Sequence, residues 1–146
     1  MSLEELFPNL ENDAFEITSD ATADYNCIAW ALGLNDAKWD PSPWYYWPRS
    51  VPRNHAVSTI EAIFSSFGFV KCESGNAEEG FGKVAIFSVD GVEYAHIARQ
   101  LSDGRWTSKL GNLEDITHAD CNSLTGQEYG SVLSWMRRRI DGGREV

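Results

Sequence analysis

The sequence predicts an α+β fold in which helices pack on a small antiparallel sheet. Three observations carry that expectation. Two early stretches combine apolar runs with helix start and stop residues. Four later stretches are short and rich in β-branched and aromatic residues, and Asp-Gly pairs separate the last three. A final stretch returns to helical spacing, and hairpin-length connections favour antiparallel over parallel strands.

Taken in order, residues 1–24 are polar and irregular, with one helical turn expected near Leu3–Leu6. Tyr25–Leu34 reads as a short helix, with Asp24 or Asn26 able to cap its start and Gly33 near its end. Residues 35–54 hold four prolines and five large aromatics, Trp39, Trp44, Tyr45, Tyr46 and Trp47. Prolines at that density exclude a regular helix or central strand, so a long loop is expected. Ala56, Ile60, Ile63, Phe64 and Phe67 then fall on one helical face, and Gly68 supplies a stop.

Strands are expected at Phe69–Cys72, Lys83–Val89, Tyr94–Gln100 and Arg105–Leu110, with turns at Asp90-Gly91 and Asp103-Gly104 and a short strand near Ile116. Thr125–Ile140 reads as a closing helix, with Tyr129, Val132, Leu133 and Met136 on one face. Its Arg137-Arg138-Arg139 run would sit in the last turns, where positive charge complements the helix dipole. No repeat or linker divides the chain, so residues 1–146 are expected to form a single domain.

A hydrophobic fraction of 42% with six Trp, seven Phe and five Tyr is enough for one packed core. A formal net charge of −10 argues against nucleic acid as a partner. No run approaches the roughly 20 apolar residues of a membrane span. Met1–Asp20 lacks the basic and apolar stretches of a signal peptide, so a cytoplasmic location, or export by a route without such a signal, is expected, with no membrane partner. The three cysteines, Cys27, Cys72 and Cys121, are odd in number, widely spaced and without a CxxC pair, so free thiols are expected. His118 among the acids of "EDITHAD" is a poor match to metal-ligand spacing. Neither a metal nor a cofactor is expected.

Cys27 opens an apolar run in "YNCIAWALG", which suits either buried packing or a thiol held at a helix start. The second reading needs a base. His55 falls at the start of a helix and His118 in a polar turn, whereas His96 lies inside an expected strand that would aim it rigidly. Cys72 and Cys121 have no such context and read as structural.

The stretches "YNCIAWA" and "GKVAIFSVDGVEYAHIARQLSDGRWTSKLG" resemble the compact papain-like cysteine hydrolases of the NlpC/P60 and CHAP group. There the nucleophile starts a helix and the base follows on a strand of an antiparallel sheet. The resemblance spans roughly residues 24–110 and implies a papain-like α+β fold, with Cys27 as nucleophile and His96 as base. It further implies a third polar residue, which falls by position at Ser108, and Tyr25 or Asn26 lining the pocket beside the Cys27 amide. Asp115 in "LEDITH" is the favoured alternative for the third member, if the chain folds back beside His96. Nucleophile and strand motifs depart from the group's usual "DCSGF" and Gly-Asp pair. The segments "YNCIAWA", "HIARQLSDGRWTSKLG", "EDITH" and "YGSVLSWMRR" resemble more closely a family of bacterial domains of unknown function, which implies no activity.

Two functional readings follow. One is a cysteine hydrolase or acyltransferase acting on an amide bond of a peptide or protein, as peptidase, amidase or deamidase. In it Trp44 and Trp47 would wall the substrate cleft and Lys109 would meet a substrate carboxylate, whereas the plainer expectation buries most of the loop aromatics over the Cys27 helix and leaves Lys109 solvated. The other is a catalytically inactive module of the same fold that binds protein through the aromatic loop 39–47.

Overall fold

The computed structural model describes residues 2–140; Met1 and residues 141–146, which the single-domain expectation also covers, lie outside them. Helix α1 (Leu3–Leu6) is closed by a capping box between Ser2 and Glu5 and runs into a 3-10 turn at Pro8–Asn12. Strand β1 (Glu16–Ile17) follows, then α2 (Cys27–Ala31), whose N-cap is Asn26, and α3 (Val57–Ser66). The remaining strands are β2 (Val70–Cys72), β3 (Phe81–Ser88), β4 (Tyr94–Gln100), β5 (Trp106–Lys109), β6 (Asp115–His118) and β7 (Ser131–Arg139).

These strands form one seven-stranded sheet in the order β1-β6-β5-β4-β3-β7-β2, antiparallel at every pairing. The papain-like α+β expectation is corrected here. The sheet is the body of the molecule, and the described helices are short pieces laid on it. On one face α2 and α3 cover Val84, Ile86, Ile97 and Met136, with Trp39 and Trp47 packed in from the loop. On the other, Leu3, Phe7 and Leu10 cover Ala85, Phe87, Ala98, Trp106 and Ile116. Central strand β3 is therefore buried on both faces from Lys83 to Ser88.

The largest local correction is at Thr125–Ile140. Instead of a closing helix, β7 runs between β3 and β2, pairing Phe81–Ser88 along its length. Gly126 and Gly130 bridge across a tight turn before it, and Gly130 holds φ at +67°. A Cβ on Gly130 would sit 2.1 Å from the Ser88 carbonyl oxygen, so the chain crosses β3 where only glycine fits. The arginines do not complement a helix dipole. Arg137 pairs with Glu78 at 2.5 Å and lies 4.2 Å over the Phe81 ring, while Arg138 lies 4.5 Å over Phe69.

Candidate functional site

Strand β4 decides where the proposed catalytic pair can go. Successive side chains of a strand point to opposite faces. Ile97 packs among Ile86, Ile28 and Cys27, so α2 lies on the Ile97 side. His96 pairs with Phe87 across the ladder, and their rings lie 5.4 Å apart among the side chains of the other face. Cys27 and His96 are thus separated by the β4 backbone, and the structure does not bring them together.

Cys27 is 8% exposed and belongs to the α2 core. Burial pushes its thiol up to about 11, against the opposing pull of the Ile97, Cys27 and Ile28 amides and the Lys109 charge. At neutral pH the sulfur is a protonated, packed group. In this arrangement it has the N–H donors of a thiolate site without the base or the opening.

His96 belongs to a different constellation. Its Nε2 lies 3.0 Å from Ser108 Oγ, which lies 2.8 Å from His118 Nε2, and His118 Nδ1 lies 2.9 Å from the Asp120 carbonyl oxygen. A carbonyl only accepts, so His118 Nδ1 donates to it. Burial lowers both imidazole pKa values, His96 to about 3, with the neighbouring His118 adding to the effect there. With neutral rings, His118 Nε2 accepts the Ser108 hydroxyl, and His96 Nε2–H donates to Ser108 Oγ. That leaves His96 Nδ1 bare, and it has no hydrogen-bond partner. The Tyr129 ring stacks on His96 at 4.3 Å and an interplanar angle of 2°. His96, Ser108 and His118 are all sealed from solvent, so the relay ties β4, β5 and β6 together as buried structure.

Asp115, the favoured third member, is not part of that relay. Its Oδ2 accepts from Tyr25 Oη at 2.5 Å on the α2 face, and its Oδ1 is buried without a partner. Lys109, its ladder partner on β5, is buried rather than offered to a substrate. The ammonium donates to the Thr22 carbonyl at 2.8 Å and to the Leu113 carbonyl, and lies 5.1 Å from the Tyr25 ring centre. Burial lowers its pKa, with Asp115 opposing.

Asn26 is likewise occupied. Its Oδ1 caps α2 at Ala29 N–H and accepts Trp39 N–H at 3.2 Å, while its Nδ2 donates to the Trp39 carbonyl at 2.7 Å. The α2 cap thereby pins one end of the aromatic loop. Trp47, 3% exposed, is buried in the same core and donates Nε1–H to the Pro52 carbonyl at 2.8 Å. Arg53 Nη1 donates to the Pro41 carbonyl at 2.9 Å. Between these anchors Trp44 is 87% exposed, with Tyr45 and Tyr46 exposed beside it.

A family model described as "Domain of unknown function (DUF7689)" matches residues 16–137. The chain belongs to that family. The matched span of this DUF7689 domain takes in the His96–Ser108–His118 relay, the Tyr25–Asp115–Lys109 group and the whole aromatic loop. No curated protein matches the chain, and no solved structure does. No helix of the described residues is long and apolar enough to cross a membrane. Among the described residues no group of three or more His, Cys, Asp or Glu is placed to hold a metal ion.

Of the residues singled out in the sequence of this DUF7689 domain, the structure joins His96 to Ser108, and Tyr25 to Asp115 and Lys109. It leaves Trp44 at the surface, with Tyr45 and Tyr46 beside it. His118 is a strand residue rather than one in a polar turn, and Tyr129 covers His96 instead of lying on a helix. The signal for His118 is the two-residue alternation of "DITH", which sets it on the Ile116 side, opposite Trp106 in the ladder.

Proposed function

We propose that this DUF7689 domain is a non-catalytic binding module that docks a partner protein through its aromatic loop. The observation that carries the reading is the 87% exposure of Trp44 on a loop whose flanks are anchored in the core. An apolar side chain of that size costs solvation free energy in water, and covering it against a partner recovers that cost. Because Asn26, Trp47 and Arg53 already order the loop, docking would spend little conformational entropy there. Tryptophan and tyrosine are also the side chains that dominate binding energy at protein interfaces. The packed Cys27 thiol, with the His96 base across the sheet, supports binding over nucleophilic catalysis.

Affinity capture with the wild-type chain, Trp44→Ala and Cys27→Ala tests the reading. The expected result is a partner held by the wild type and Cys27→Ala and lost from Trp44→Ala. Identical partners on all three chains would contradict it, as would amide turnover that disappears in Cys27→Ala.

A further inference from the structure

We infer that the segment taken by this loop is acidic: a stretch that lays an aliphatic or aromatic side chain against Trp44 and Tyr45 and sets flanking carboxylates on Arg49, Arg53 and Lys38. The inference rests on the binding-module reading and adds the chemistry of the partner.

Immediately after Trp44 in the chain, Tyr45, Tyr46, Pro48, Arg49 and Arg53 line an open depression of the surface. Lys38 Nζ stands 5.7 Å from the Tyr45 ring centre. Arg53 spends Nη1 on the Pro41 and Ser42 carbonyls, which leaves the rest of its planar fork of donors for a ligand.

The local charge of this patch runs against the sign of the whole chain. The chain carries −10, yet across residues 35–55 Lys38, Arg49 and Arg53 outnumber Asp36 and Asp40. Asp40 is also turned into the loop: Oδ2 accepts Ser42 N–H at 2.9 Å and Oδ1 lies 3.3 Å from His55 Nε2. At physiological ionic strength charges beyond about 8 Å are largely screened, so an approaching segment responds to the local cations more than to the total. A basic segment would meet three cations here. An acidic one would find complementary charge around an aromatic contact.

The test uses the full chain and three blocked heptapeptides with a central Leu-Phe pair flanked by Glu, by Ser or by Lys, followed in nitrogen–proton spectra. Trp44→Ala identifies the Trp44 indole resonance. The Glu peptide is expected to shift that resonance and bind about tenfold more tightly than the Ser peptide at 0.15 M salt. Arg49→Glu should remove most of that preference, and 0.5 M salt should weaken binding. Equal binding of the Ser or Lys peptide, tighter binding of an oligothymidylate, or no shift with any peptide would overturn the inference. If it falls while Trp44→Ala still loses its captured partner, the binding-module reading stands with a partner of different chemistry.

Discussion

Cys27 and His96 are held on opposite faces of strand β4, the thiol packed with Ile97 and the imidazole against the Phe87 and Tyr129 rings. A Cys-His pair needs both groups around one reacting atom, and here a strand backbone stands between them. What the two residues do instead can be measured.

Thiol labelling should run in the order of exposure. Cys72 is half-buried at the sheet edge, whereas Cys27 and Cys121 are buried and their thiols are pushed up by burial, Cys27 to about 11. At pH 7.5 a thiol with that pKa has a thiolate fraction about two orders of magnitude below that of an ordinary cysteine near 8.5. Native iodoacetamide labelling read by mass spectrometry should find Cys72 modified first. Preferential labelling of Cys27 would revive the nucleophile.

Mild acid should destabilise the fold through the buried relay. The folded His96 pKa of about 3 lies below its ordinary 6.5, so between those values the unfolded chain binds a proton that the folded chain refuses. Its contribution is complete above pH 6.5 and is lost as pH falls toward 3. His118, also lowered by burial, acts in the same direction. Urea unfolding should show about 1.5 kcal/mol less stability at pH 5.5 than at pH 7.5 from His96. The decline should be shallower in His96→Phe, and an equal slope in both chains would contradict the assignment.

Gly130→Ala and Gly111→Ala separate backbone strain from collision. Both glycines have positive φ, +67° and +63°, but only at Gly130 would a Cβ strike the Ser88 carbonyl, at 2.1 Å. Gly111→Ala should cost about 1 kcal/mol from the left-handed conformation alone. Gly130→Ala should cost about 3 kcal/mol or more, because the β3–β7 crossing must open. Equal unfolding midpoints for the two variants would rule out the close crossing.

The two ends of the aromatic loop should respond differently to truncation. Trp47→Ala removes a buried anchor and should cost about 3–5 kcal/mol in chemical unfolding. Trp44→Ala removes a side chain already in water and should change stability by less than about 0.5 kcal/mol. A large loss in Trp44→Ala would mean that its exposure belongs to packing rather than to docking.

Much of the local structure was legible in the residues. Asn26 caps α2 as its side chain allows, α3 occupies the face spaced by Ile60, Ile63 and Phe64, and β4 spans Tyr94–Gln100 as expected. At Thr125–Ile140 four apolar residues at helical spacing favour a helix, whereas pairing with β3 and β2 makes Ser131–Arg139 a strand. Gly126 and Gly130, poor residues for a helix interior, were the opposing signal. Of the loop aromatics, Trp39 and Trp47 are buried and Trp44, Tyr45 and Tyr46 are exposed, a split that their spacing in a proline-rich loop does not encode.

By itself the sequence determined what depends on near neighbours: caps, turns, strand candidates, free thiols, and a proline-rich loop loaded with aromatics. Only the tertiary structure decided that β7 completes a seven-stranded sheet, that His96 answers to Ser108 and His118 instead of Cys27, and that Trp44 alone among the tryptophans stands almost wholly in water. The reason is the two-residue alternation of a strand. Which face a side chain takes is set by ladder register with distant partners, and a displacement of one residue exchanges one side of the sheet for the other.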